Sequence, residues 1–188
     1  MKLPNVIQTK RLIIRPFQNE DLRPYLAFMT DELATQYMLF TQEQKTEKGA
    51  KELFKLIVNS YSSDHPVFAY AIALSGNGFI GSCGISKLNQ VGVYECYYSL
   101  LPEYWHRGYA TEATNALLDY CFQHYPIKAI KAYMNPANVG SARVAERLGM
   151  AYLGLHRHPT FKREGKVYSI TKAMWDSAQP RPIASKAL

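Results

Sequence analysis

The chain lacks a membrane-spanning run, a cysteine framework and a glycine-rich phosphate fingerprint. No apolar stretch in its 188 residues approaches the ~20 that cross a bilayer. Near the start, Pro4, Asn5, Gln8 and Thr9 interrupt the apolar residues behind Lys2, so no secretion signal is read there. The three cysteines, Cys83, Cys96 and Cys121, are odd in number and form no close pair. That argues against disulfides and against a zinc site, and it predicts reduced thiols in the core. These absences together predict a cytoplasmic protein with no membrane partner. The sequence has neither Gly-Lys-Ser/Thr nor the three-glycine dinucleotide motif, which disfavours both of those nucleotide-binding classes. Lys and Arg number 22 against 15 Asp and Glu, a net +7, yet they are scattered and form no dense basic run. Such a charge attracts anions at long range. A phosphorylated cofactor, a ribosome surface and nucleic acid all fit it, as does a merely basic surface. No aromatic RNA-reading motif accompanies it, so direct nucleic-acid binding is not expected.

What is present is the composition of one globular domain, 47% hydrophobic and 20% charged. The domain is expected over residues 1–176, with 177–188 a loosely ordered tail holding Pro180 and Pro182. Residues 10–15 read as a strand around Leu12, Ile13 and Ile14, ended by Pro16. Asn19 offers a cap for a helix carrying Leu22, Tyr25, Leu26 and Met29, and a second helical stretch covers 41–61. Strands follow at 67–74, 78–85 and 91–101, joined by the hairpin signal Ser75-Gly76-Asn77-Gly78 and a looser turn from Leu88 to Gly92. Strands linked this tightly should pair antiparallel. Gly108 opens a helix with Ala110, Ala113, Leu117 and Cys121 on one face. Then come a strand at 127–134, a helix at 138–148 stopped by Gly149, and strands at 152–155 and 167–175. The whole is a mixed α/β domain without repeats.

The chemistry concentrates between Tyr97 and Ala116, where a strand runs through a short loop into a helix. The first amides of a helix have no helical partner, and its dipole adds positive charge there. Such an end binds phosphate without many cationic side chains. Gly108 permits a tight turn and close approach, Ala110 keeps the next position small, and Arg107 offers a charged contact. One glycine alone is equally compatible with a plain strand–helix connection.

The loop Trp105-His106-Arg107-Gly108-Tyr109-Ala110 resembles the acetyl-CoA-binding signature of the GNAT acetyltransferase superfamily, Gln/Arg-x-x-Gly-x-Gly/Ala. Trp105 departs from the strict first position in a way found in the ribosomal-protein N-terminal (alanine) acetyltransferase branch. His106 stands where glycine is frequent, which suits it if its φ is negative. Two further segments resemble the same branch in the same order: residues 9–17 its first strand, and residues 138–150 its Asn-x-x-Ser helix.

The resemblance implies a GNAT fold, a central and mostly antiparallel mixed sheet of about seven strands with four helices, splayed between the fourth and fifth strands. It implies acetyl-CoA as co-substrate, with no metal. Tyr98, Ser99 and Leu100 would pair with the pantetheine arm, and His106, Arg107, Gly108, Tyr109, Ala110 and Thr111 would line the pyrophosphate. Asn138 would contact pantetheine or cap its helix, or both. Glu95 stands where relatives place a general base, on the strand face shared with Tyr97 and Ser99. Its alternative is a carboxylate that is solvated or paired with an Arg. The tyrosine that many relatives use as acid is here Ala145. Ser141 is the substitute donor to the leaving sulfur, or else only caps or packs its helix. His156 and His158 flank Arg157 on a late strand and lack a third metal ligand nearby.

The implied activity is direct acetyl transfer to a primary amine, a ribosomal-type protein N-terminus first. A small-molecule amine acceptor, or a non-catalytic module binding acetyl-CoA or RNA, is the alternative. A monomer and a homodimer both fit.

Overall fold

A computed structural model describes residues 5–76 and 78–178. Alternation at the first long strand, β2 (Leu12–Arg15), buries Leu12 and Ile14 and leaves Ile13 and Arg15 partly open. A two-residue strand not foreseen in the sequence, β1 (Ile7–Gln8), pairs with it antiparallel. β3 (Ala69–Leu74), β4 (Gly78–Lys87) and β5 (Val93–Leu100) continue as an antiparallel meander, as their short links require. Of the hairpin turn, Asn77 lies outside the described residues, and Gly76 and Gly78 adopt left-handed φ of 84° and 71°. β6 (Ala129–Met134), β7 (Ala151–Arg157) and β8 (Glu164–Thr171) complete an eight-stranded sheet of order β1-β2-β3-β4-β5-β6-β8-β7. Among the described residues its one parallel pair is β5 with β6.

Helices cover both faces. On one side α1 (Leu22–Thr30), α2 (Glu32–Thr35) and α3 (Glu47–Ser60) bury Tyr25, Phe28, Phe54 and Ile57 with Phe17 and Phe79. Edge-on ring contacts at 5.4 and 5.6 Å join Phe17 to Tyr25 and Phe54. The entry to α1 is a 3₁₀ turn, where Asp21 takes the Gln18 amide and a bidentate Arg15 fork, which makes its burial tolerable. On the other side α4 (Tyr109–His124) and α5 (Val139–Arg147) pack Leu117, Leu118, Cys121 and Ala145 against Tyr70, Ile72, Ile80 and Ile130. The three cysteines are free and buried in that layer, as their spacing predicts.

Three boundaries depart from the sequence reading. The helical stretch expected from residue 41 starts only at Glu47, where Thr46 caps it by accepting from the Gly49 amide at 3.1 Å. α2 is an added short helix, capped by Asp31. The last strand stops at Thr171, whose hydroxyl caps α6 (Lys172–Ser177) instead of letting the strand run to Trp175. Lys172 and Asp176 pair one turn apart in that helix, and Trp175 turns inward onto Phe122. Ser177 therefore closes a helix, and of the expected tail residues 179–188 lie outside the described residues.

The sheet opens at its centre. β5 and β6 stay paired only from Val93↔Ala129 to Glu95↔Lys131. Beyond that point β5 continues beside β4 to Leu100, and β6 continues beside β8 to Met134. These are the fourth and fifth strands of the sequence count, and the gap between them is the expected splay.

Candidate active site

One wall of the opening is the start of α4. Its first helical bond runs from the Glu112 amide to the Gly108 carbonyl at 3.0 Å, so the amides of Tyr109, Ala110 and Thr111 have no helical acceptor. The Thr111 hydroxyl is buried there without a hydrogen-bond partner among the described residues. A row of free donors at a helix N-terminus, with an orphaned hydroxyl in its first turn, fits a diphosphate. Gly108 caps the helix at φ +78°, a left-handed conformation that favours glycine. His106 is also left-handed, at φ +61°, contrary to the negative value expected. Histidine is among the side chains enriched in that region, so the loop forms without a second glycine. The side chains of His106 and Arg107 are exposed.

The loop is pinned from the turn between β1 and β2. Arg11 donates from Nη1 to the Arg107 carbonyl at 3.0 Å and lies 4.5 Å over the Tyr109 ring. Its Nε donates to Glu112 at 2.6 Å, while the Thr9 hydroxyl and the Arg11 amide hold the other carboxylate oxygen. Burial pushes the Glu112 carboxyl up, but these bonds outweigh it and hold the group below its ordinary value. Behind the loop, the Trp105 indole donates to the Leu100 carbonyl at 2.8 Å.

β5 supplies the second wall. The Leu101 amide donates to Ile80 and the Val93 carbonyl accepts from Leu88, both toward β4. Antiparallel pairing alternates, so Val93, Glu95, Tyr97 and Ser99 also turn their backbone groups to β4. Cys96, Tyr98 and Leu100 turn theirs the other way, toward the gap, where the Leu100 carbonyl already takes the Trp105 indole. The structure thus brings the Tyr98 and Leu100 backbones to the opening. It does not bring that of Ser99, whose hydroxyl meets Ser82 at 3.2 Å.

Across the gap, Asn138 caps α5 by accepting from the Ser141 amide at 3.0 Å. The Tyr98 hydroxyl donates to the Ser141 carbonyl at 2.8 Å, tying β5 to α5. Burial pushes that phenol well above its ordinary range. Ala145, where a tyrosine was sought, is packed in the core.

Glu95 occupies the last position before the strands part. Its side chain points to the face opposite Cys96 and Tyr98, into an open cleft lined by residues 36–39, residues 133–135, His158 and residues 163–165. Its partner is a histidine, not an arginine: Glu95 Oε2 lies 2.8 Å from His158 Nε2. Burial raises the Glu95 carboxyl above its ordinary value, and the His158 bond offsets part of that rise. His156 and His158 do not act together. His156 bonds the Leu153 carbonyl on the exposed edge strand, while His158 lies past the end of β7 and turns inward.

Sequence reasoning missed the pinning residues Thr9, Arg11 and Glu112, the Trp105 indole bond and the His158 partnership. Arg11 and Glu112 lie inside recognised segments, and their opposite charges were the available signal. No local pattern around His158 announces Glu95, since the contact spans 63 positions of sequence.

A model of the acetyltransferase (GNAT) domain matches residues 11–151. The uncharacterized N-acetyltransferase YnaD of Bacillus subtilis is 29% identical over 154 residues, spanning 80% of this chain and 85% of that protein. A GNAT-family acetyltransferase structure from Bacillus anthracis is similar with a TM-score of 0.75 at 24% identity, covering 89% of this chain and 99% of that one. The ribosomal alpha-N-protein acetyltransferase RimL, solved in complex with coenzyme A, is similar with a TM-score of 0.73 at 14% identity, covering 88% and 97%.

Proposed function

The chain belongs to the GNAT acetyltransferase family, and on that premise we propose that it moves an acetyl group from acetyl-CoA to a protein N-terminal α-amine, by direct transfer in a ternary complex. One observation carries this reading. The sheet opens where a helix start offers unpaired amides on one side and Glu95 stands at the fork, facing a cleft on the other. The name of the coenzyme A-bound neighbour supports both the donor and a protein N-terminal acceptor.

The residues divide the work. The amides of Tyr109, Ala110 and Thr111, with the Thr111 hydroxyl, bind the diphosphate, and the left-handed turns at His106 and Gly108 together with exposed Arg107 shape and charge that loop. The backbones of Tyr98 and Leu100 pair with the pantetheine arm like an added strand, and Asn138 orients α5 against it while capping it. Acetyl-CoA supplies an activated thioester. The acceptor must arrive as a neutral amine, and Glu95 takes its proton directly or through one water. Ser141, in the first turn of α5, offers a hydroxyl to the departing sulfur. A thiolate is stable enough to leave without a strong acid.

The test is an acceptor screen by mass spectrometry with acetyl-CoA, setting ribosomal proteins against polyamines, amino acids and aminoglycosides. Acetylated protein N-termini are expected. Turnover confined to small amines would replace the acceptor class, and calorimetric acetyl-CoA binding without thiol release on any acceptor would leave a binding module.

A further inference from the structure

His158 is almost fully buried, at 4% exposure, in the short loop between β7 and β8. Its Nδ1 accepts two backbone amides, those of Thr160 at 3.0 Å and Phe161 at 3.2 Å. A nitrogen that accepts two N–H donors carries no proton, so the ring proton sits on Nε2, where it faces Glu95. The ring is held on both sides, with centroids 4.6 Å from Tyr133 and 4.7 Å from Phe161. The loop is closed around it by the His158 amide to Arg163 at 2.8 Å and the Lys162 amide to His158 at 3.0 Å. Every freedom of the imidazole is thus spent before Glu95 is reached. The other ionisable groups toward Glu95 are Tyr133 and the cross-strand Lys131 on β6, Tyr37 beside α2, and Arg163 and Glu164 leading into β8. Among the described residues none of these bonds the Glu95 carboxylate, which leaves His158 as its donor.

We propose that His158, as its Nε2–H tautomer, is a positioning residue whose proton fixes the Glu95 carboxylate in the cleft beside the sheet's opening. It rests on the reading of Glu95 as base. The amides of Thr160 and Phe161 choose the tautomer, the tautomer makes His158 a donor only, and a donor holds a carboxylate in its ionised form. The proton taken from an amine therefore stops at Glu95 and passes to solvent in the cleft, because His158 has no open lone pair facing it.

The experiment uses the full chain, with ¹⁵N-histidine to report the tautomer and ¹³C-carboxyl glutamate to follow Glu95, assigned by its loss in Glu95→Gln. At neutral pH the wild type should show Nε2 protonated and Nδ1 bare. His158→Phe keeps an aromatic ring between Tyr133 and Phe161 but removes the donor, and should shift the Glu95 titration midpoint upward. His158→Gln restores an N–H at the same reach and should return the midpoint toward wild type. A proton on Nδ1, or the same Glu95 midpoint in wild type and His158→Phe, would overturn the proposal. If the Phe variant does not fold, the wild-type tautomer still decides it, because a proton on Nδ1 leaves no donor facing Glu95. Glu95→Gln turning over at the wild-type rate while the midpoints still differ would remove Glu95 as base and leave the action of His158 on it standing.

Discussion

The two sides of the opening are built in opposite ways. The α4 side is almost contiguous in sequence, one loop and one helix start, with the β1–β2 turn pinning it through Arg11 and Glu112. It offers donors, and its single carboxylate is turned away into that pin. The Glu95 side is collected from residues 36–39, β5, β6 and the β7–β8 loop. It offers a carboxylate, and its donor is spent on holding that carboxylate. The contrast is the one acetyl transfer needs: a fixed receptor for an anionic donor molecule on one side, and a proton acceptor for an amine on the other.

Substitutions on the two sides should therefore have separable effects. The largest is expected from Glu95→Gln, which should lower kcat by about 100-fold or more, the usual scale of a lost general base, with acetyl-CoA affinity nearly unchanged by calorimetry. The wild-type rate should fall as pH drops through the Glu95 value, raised above its ordinary 4.5 by burial, and that limb should vanish in the variant. Gly108→Val comes next. Forcing a β-branched residue into the left-handed cap costs ~1–2 kcal/mol, so acetyl-CoA should bind about tenfold more weakly. The Glu95 titration should not move. Arg11→Ala unpins the loop and should weaken acetyl-CoA by about fivefold, the scale of losing partly exposed charged hydrogen bonds. A change in the acid limb for either variant would break the separation.

The smallest effect is on stability. A carboxyl raised by burial holds its proton more tightly folded than unfolded, so stability is lost as pH climbs from 4.5 through the folded value. At neutral pH the folded state carries that cost, and Glu95→Gln should raise Tm there while lowering it relative to wild type at no pH above the folded value. A thermal melt at pH 7 reads this directly.

The same contrast explains what the sequence disclosed. The meander, the helix after Gly108 and the Asn138 cap were legible because each rests on residues close together: turn glycines, a period of apolar residues, a capping side chain. The loop with its left-handed glycine at the start of α4 was legible for that reason too. Ser99 was placed at the gap because strand membership is local information, whereas the direction of a peptide group depends on register with β4. His158 was read beside His156 because spacing alone puts them together, and only the turn at residues 158–163 sends one inward. Trp175 looked like strand because apolar content does not distinguish a strand end from a helix capped by Thr171.

The position of the bound donor molecule is the decisive observable. A crystal structure of the protein with coenzyme A should place diphosphate oxygens on the amides of Tyr109, Ala110 and Thr111, and the pantetheine beside Tyr98 and Leu100, its sulfur reaching toward the cleft of Glu95. Coenzyme A bound elsewhere, with those amides unengaged and the space between β5 and β6 filled by side chains, would contradict it.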